Sequence, residues 1–291
     1  MVEPTERSIS VGRSEIDRSG LSYFILDSAI KFISERLEGL PEDCEAWLSQ
    51  FWEEANSSRL KIPAYLALHP RLTLMAARCA ARLPHLSARL SDGPEGKLIE
   101  NALNTVCLAK VFKLSDLGAC VLEIPARPQD YSLGSSKQTL RRKVKAAEKL
   151  SIYCRPVHDK DEQIALVATL DRAIAVKSNP LYREQDSDHS YLVGSGLWTV
   201  AFAQDGEPLV IAVTPRDGEW ALLQAFVSLG ETQHRSDARY LLTKVVVERL
   251  AVEGVRHLVD TRSPSQLPNG LRHFQRMLGF RIRRIRMRQS I

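Results

Sequence analysis

Apolar residues recur at every third or fourth position from Leu21 to about Leu114, and in short runs bounded by turn residues through the remainder. The first pattern predicts helices and the second predicts strands. Phe24, Ile25, Ala29, Phe32, Ile33 and Leu37 form one helical stripe, stopped by Gly39 and Pro41. A second helix runs over Glu42–Glu54 through Ala46, Trp47, Phe51 and Trp52. A third occupies Ile62–Leu83, interrupted at His69-Pro70, and a fourth occupies Leu98–Phe112. Few strands are expected in this half. From Ala119 on, the spacing predicts strands at Ala119–Ile124, Ile152–Pro156, Leu197–Ala203, Pro208–Thr214, Glu219–Val227, Val255–Thr261 and Phe280–Met287. Helices are expected between them at Ser135–Leu150, Asp161–Val176, Ala238–Glu253 and Gly270–Leu278, with Ser135 and Gln138 spaced as a capping box. Asp205-Gly206 and Asp217-Gly218, each flanked by apolar runs, are hairpin signals.

This order predicts an α/β (α+β) domain over residues 115–291, a mixed sheet flanked by helices. Before it come a polar arm over 1–20 and a mainly helical domain or cap over 21–114. Hydrophobic residues make up 44% and charged residues 26%, which excludes disorder over most of the chain. No stretch reaches the ~20 uncharged apolar residues that cross a bilayer, so no transmembrane segment is expected. The N-terminus lacks a secretory apolar core, which points to a cytoplasmic protein. The five cysteines are scattered and no Cys/His cluster has ligand spacing, so reduced thiols and no metal are expected. A net charge of +5 is mild for a dedicated nucleic-acid binder. The excess gathers in Lys137–Lys149 and in the arginines from Arg272 on, where Phe280–Met287 is expected as an edge strand guarded by charge.

Candidate chemistry centres on residues 221–253. A strand passes through a short polar loop, Gln233-His234-Arg235-Ser236-Asp237-Ala238, into the start of a long helix. Such a junction can present free backbone N–H groups to an anion. Asp260, ending a strand, and Glu219, after the Asp-Gly turn, are candidate bases for taking a proton from an attacking amine. The seven histidines show no partners in the sequence, and each reads as structural or solvated.

The loop resembles the acyl-CoA pyrophosphate loop of the GNAT superfamily of N-acyltransferases, Q/R-x-x-G-x-G/A, with Gln233, Ser236 and Ala238 at the patterned positions. Ser236 stands where that pattern has glycine, and Asp237 adds a negative charge that Arg235 and Arg239 can offset. Residues Asn269–Phe280 are similar to the superfamily's closing helix, but Gln275 falls where a proton-donating tyrosine is usual. Residues Gly134–Lys149 resemble the basic helix of Fem-type transferases, which have relatives of the cellulose-biosynthesis acetyltransferase type. The resemblance covers about residues 115–288 and implies a GNAT-like fold. It also implies transfer of an acyl group from acetyl-CoA or a longer acyl-CoA to an amine on a small molecule, peptide or lipid. Gln233, Arg235, Ser236, Asp237, Ala238 and Arg239 would then form the donor's phosphate site, with the N–H groups of Ser236–Arg239 as donors. Trp198 and Arg262 would lie near the substrate. Two alternatives stay open: a Fem-like transferase using aminoacyl-tRNA, and a non-catalytic GNAT-fold protein that binds a ligand or nucleic acid.

Overall fold

The computed structural model describes residues 40–108, 112–178, 183 and 188–288. The expected polar arm and first helix lie outside the described residues. From Pro41 on, the chain forms one compact unit. It opens with three helices, α1 (Cys44–Ser57), α2 (Ile62–Leu68) and α3 (Pro70–Arg82). Asp43 caps α1 by accepting from the Ala46 N–H, and Pro70 starts α3, where its missing N–H costs nothing. Next come β1 (His85–Arg89), α4 (Pro94–Leu103), β2 (Val106–Leu108), β3 (Phe112–Lys113) and α5 (Leu114–Leu117). The helix expected over Leu98–Phe112 therefore ends at Leu103, and the chain turns into two short strands.

The rest follows the predicted alternation. It runs β4 (Ala119–Glu123), α6 (Gln138–Lys149), β5 (Tyr153–Pro156), α7 (Lys160–Ala175), β6 (Leu197–Phe202), β7 (Pro208–Thr214), β8 (Arg216–Asp217), β9 (Trp220–Leu223) and β10 (Ala225–Ser228). It closes with α8 (Gln233–Val252), β11 (His257–Asp260), α9 (Asn269–Leu278) and β12 (Arg281–Arg288). The capping box at Ser135 does not form. A short 3-10 turn over Ser135–Lys137 leads into α6 without a side-chain cap. Helix α9 ends where expected, because Gly279 adopts a left-handed φ of 97° and Phe280 N–H returns to the Gln275 carbonyl.

Among the described residues β2 and β3 pair with each other, and two larger sheets form, both flanked by helices. One has the order β1-β12-β4-β11-β9-β8, with β1/β12 and β11/β9 parallel and the other pairs antiparallel. The other is the antiparallel β10-β7-β6-β5. This is the mixed, helix-flanked α/β architecture that the sequence predicts. One face of the first sheet packs Ala119, Val121, Trp220, Leu222 and Val259 against Ile99 and Leu103 of α4. The other face joins Leu122, Ala221 and Leu258 to the buried side of α8. In the second sheet, α7 covers Trp198, Val200 and Ile211, while Ala201, Val210 and Ala212 face α8.

The edge-strand expectation is corrected here. Strand β12 is an interior strand, because β1 pairs with it in parallel from His85↔Arg284 to Arg89↔Arg288. Its arginines are used within the fold: Arg283 pairs with Glu45 and Glu123, and Ile282 and Ile285 are buried. The same pairing makes residues 85–89 part of the main sheet. Sequence periodicity missed β1 because its five residues, His85-Leu-Ser-Ala-Arg89, carry only two apolar side chains.

Candidate functional site

Strands β9 and β10 are one extended stretch broken at Gln224. Up to Leu223 the chain runs in parallel register with β11, ending at Asp260↔Leu223. From Ala225 it pairs with β7 instead, from Ala225↔Val213 to Ser228↔Val210. The two sheets part at this point, and among the described residues β10 has one strand partner, β7. An edge strand has a row of backbone donors and acceptors unused by its sheet.

A cavity of about 670 Å³ opens at the parting. Val246, Leu258, Leu271, Leu278 and Phe280 give it apolar walls, and Asp260 and Gln275 place polar groups among them. Lys177, His189, Thr232, Arg239 and Arg262 line it as well. Arg239 lies 4.0 Å from the centre of the Phe274 ring and 5.7 Å from that of Phe226. The two rings stack on each other at 6.0 Å, and a guanidinium lying against such a pair is held in place while keeping its charge.

Asp260 is buried at the cavity wall. It accepts from the Arg262 N–H at 2.8 Å and from Gln275 Nε2 at 2.6 Å. Burial pushes its pKa above the usual carboxylate range, although both hydrogen bonds oppose that shift. Gln275, at the position where the resemblance implies a tyrosine acid, is thus the partner of Asp260. The loop beyond Asp260 is fixed from behind. Arg272 donates to the carbonyls of Pro264 at 2.8 Å and Leu267 at 3.0 Å, and Asn269 donates to Ser57 of α1 at 2.8 Å. The helical N-terminal region therefore buttresses the segment that forms one wall of the site.

The predicted phosphate loop takes another form. Helix α8 begins at Gln233, five residues before the expected Ala238. The Ser236 N–H is already spent on the Thr232 carbonyl at 3.1 Å. The free N–H groups of the first turn are consequently those of Gln233, His234 and Arg235, and not those of Ser236–Arg239. Asp237 turns inward, 5% exposed, to meet Lys143 of α6 at 2.7 Å and Gln233 at 3.1 Å. Ala238 enters the core. Ser236 and Arg239 line the cavity. Arg235 folds over Gly230, where a Cβ would come within 2.5 Å of its guanidinium, and pairs with Glu207 at 2.5 Å. Glu231 is turned to Ser178, accepting from its N–H at 3.1 Å.

The other predicted residues divide. Arg262 lines the cavity beside Asp260. Trp198 does not reach it: the ring is 2% exposed in the α7 core and its Nε1 donates to the Leu192 carbonyl at 3.2 Å. Glu219 is exposed at the start of β9, the end of that strand away from the cavity, and its carbonyl accepts from the N–H groups of Arg256 and His257. Neither Trp198 nor Glu219 is part of the site. Two residues that sequence reasoning passed over belong to it. Lys177, at the end of α7, lines the cavity and donates to the Ser228 carbonyl at 2.7 Å. His189 lines it too, with Nδ1 2.5 Å from the Asp171 carboxylate. These partners are 18 residues apart, so no local motif announces them.

The basic helix α6 has Leu140, Val144 and Ala147 buried, as its amphipathic pattern predicts. Lys137 donates to the Leu278 carbonyl at the end of α9, and Arg141 to the carbonyls of Ser132 and Gly134. Arg142, Lys145 and Lys149 are exposed. Among the described residues no group of three or more His, Cys, Asp or Glu is placed to hold a metal ion. Nor is any described helix long and apolar enough to cross a membrane.

No protein-family model matches this chain, and no curated protein matches its sequence. Among solved structures it is similar to L-PGS from Bacillus licheniformis, with 14% identity, a TM-score of 0.42 and 57% of each chain covered. It is also similar to the C-terminal domain of a candidate lysylphosphatidylglycerol synthetase from Agrobacterium fabrum. There the identity is 11%, the TM-score 0.36, and the coverage 49% of this chain and 44% of that one. The match thus spans little more than half the length of the first structure and less than half of the second.

Proposed function

We propose that this protein is a transferase that moves an aminoacyl group from the ester of aminoacyl-tRNA to an amine acceptor. The observation that carries this reading is the parting of β9–β10 from β11 over a cavity with apolar walls and cations among its lining residues. The edge of β10 away from β7, which no other described strand covers, supplies backbone N–H groups that can polarise a carbonyl lying along it. The cavity walls hold the acyl portion and exclude water from a reactive ester. The exposed Arg142, Lys145 and Lys149 of α6 offer charge to a nucleic-acid backbone.

The start of α8 favours this donor over acyl-CoA. A diphosphate at a helix start needs open N–H groups and close backbone approach. Here the glycine of the loop, Gly230, is covered by Arg235, and that guanidinium is already neutralised by Glu207. An aminoacyl ester brings no diphosphate into the cleft and needs no such cradle. Acyl-CoA remains the second reading, because the N–H groups of Gln233, His234 and Arg235 stand at the end of β10, on the donor side of a GNAT-like cleft.

Turnover with each donor decides between them. Total tRNA charged with a radiolabelled amino-acid mixture, and separately labelled acetyl-CoA, would be offered with spermidine, a lysine-containing peptide or phosphatidylethanolamine vesicles. Label entering an acceptor from aminoacyl-tRNA alone is the expected result. Label entering from acetyl-CoA alone overturns the choice of donor. No transfer from either donor overturns the transferase reading and leaves a binding protein.

A further inference from the structure

We propose that His189, held by Asp171, is the catalytic base of this transfer, an assignment that rests on the reading above. Asp171 lies on α7 and His189 just before the 3-10 turn Ser190–Leu192, and their side chains meet with Nδ1 2.5 Å from Oδ1. Both side chains are partly covered, 15% exposed for His189 and 25% for Asp171. An ionised carboxylate only accepts, so the neutral ring carries its proton on Nδ1 and keeps the lone pair on Nε2. Nε2 has no hydrogen bond among the described residues, and the side chain lines the same cavity as the free edge of β10.

The groups around the ring support this role. The Tyr191 ring is tilted against it, with centroids 5.8 Å apart, and Asp188, whose charge also acts on the imidazole, accepts from the Ser190 N–H at 2.9 Å. Lys177 is tied to the Ser228 carbonyl, and Arg239 lies against the stacked pair Phe226 and Phe274. Asp171 is therefore the anion at Nδ1, and it stabilises the imidazolium that forms when Nε2 takes a proton. Asp260 is less suited to the task. Each of its oxygens already accepts a hydrogen bond, and those bonds tie Gln275 to the loop at Arg262. Its place is that of a positioning residue.

In the step itself, the acceptor nitrogen attacks the ester carbonyl and an N–H proton passes to Nε2 of His189. The C–N bond forms and the C–O bond to the ribose breaks. The imidazolium returns the proton to the departing oxygen, so no co-reactant is needed. Asp171 keeps its charge throughout and fixes the ring's orientation.

Two measurements on the full chain test this. The first is 15N NMR of histidine-labelled protein, with His189 assigned by difference from His189→Gln. The proton of the neutral ring is expected on Nδ1 and is expected to redistribute toward Nε2 in Asp171→Asn. A neutral ring carrying its proton on Nε2 in the unaltered protein overturns the proposal. The second is the pH dependence of transfer with whichever donor and acceptor give turnover. His189→Gln should lose about 10²- to 10⁴-fold in rate together with the acid limb of the profile. Asp171→Asn should lose less and displace that limb, while Asp260→Asn should keep it. A His189→Gln rate within threefold of the unaltered protein, with melting unchanged, overturns the base role alone. If His189→Gln does not fold, Asp171→Asn and the tautomer carry the test. Absence of turnover by the unaltered protein with every donor overturns the transferase reading, and the base role with it.

Discussion

The residues on either side of Gln224 belong to one extended stretch of chain, yet they live in different surroundings. Strand β9 has neighbours on both edges, β8 and β11, and Trp220, Ala221 and Leu222 are buried. Strand β10 has β7 on one edge only, and Phe226, Val227 and Ser228 are half-buried at the cavity. The first half contributes to stability through close packing on both faces of its sheet. The second half gives up a partner, and with it some stability, to leave backbone groups and ring faces available. Sites that bind and react are commonly drawn from the less stable parts of a fold. The contrast between these halves yields four predictions, in falling order of expected effect.

Trp220→Ala should cost the most, about 3–5 kcal/mol, because it empties a fully buried position whose ring lies 4.5 Å from that of His257. Urea unfolding would measure this, and a loss below about 1 kcal/mol would contradict the claim that β9 is the structural half. Phe226→Ala should be milder in stability, about 1–2 kcal/mol, since the ring is only half-buried. It removes one of the two rings that hold Arg239, so transfer should fall by about tenfold, against about 1.4 kcal/mol of barrier.

Asp260→Asn reaches the place where the halves diverge. Burial raises the Asp260 pKa, so the folded state holds that proton more tightly than the unfolded chain does. The carboxyl therefore favours folding below the ordinary carboxylate range, and that advantage is lost as pH rises through its folded value. The asparagine variant should melt higher than the unaltered protein at neutral pH, with the gap narrowing in acid. Thermal unfolding at several pH values reads this directly, and a gap that widens in acid would reverse the sign. Arg235→Ala should have the smallest effect on stability, under about 1 kcal/mol, because Glu207 is half-exposed and exposed pairs contribute little. Its value lies in the donor: uncovering Gly230 should permit weak binding of acetyl-CoA, seen as a raised melting midpoint, where the unaltered protein shows none.

Most of the fold was legible because its signals are local. The stripe of Leu140, Val144 and Ala147 and the DG turn after Asp217 depend on neighbours within a few positions. So does the Leu278–Gly279–Phe280 stop. Strand β1 was not legible, since its place is set by a partner nearly 200 residues away. The site was legible in part. Asp260 and Arg262, singled out at the end of a predicted strand, and Ser236 and Arg239, singled out through the loop resemblance, line the cavity. Trp198 and Glu219 were misplaced because period-2 alternation does not say which face of a sheet a residue serves, or which end of a strand meets a ligand. Asp237 looked like a charge at a phosphate site, and it is the buried partner of Lys143 on another helix.

By itself the sequence determined which segments from Ala119 on are helix and strand, the alternation that makes a helix-flanked mixed sheet, and most of the stops and turns between them. Those follow from backbone preferences and apolar spacing, which act over a few residues. The tertiary structure decided where the sheet parts, that α8 starts at Gln233 with its first turn covered by Arg235, and that His189 meets Asp171. Each of these depends on contacts between residues far apart in sequence. Only packing of the folded chain brings such partners together, and no local pattern encodes which of them will meet.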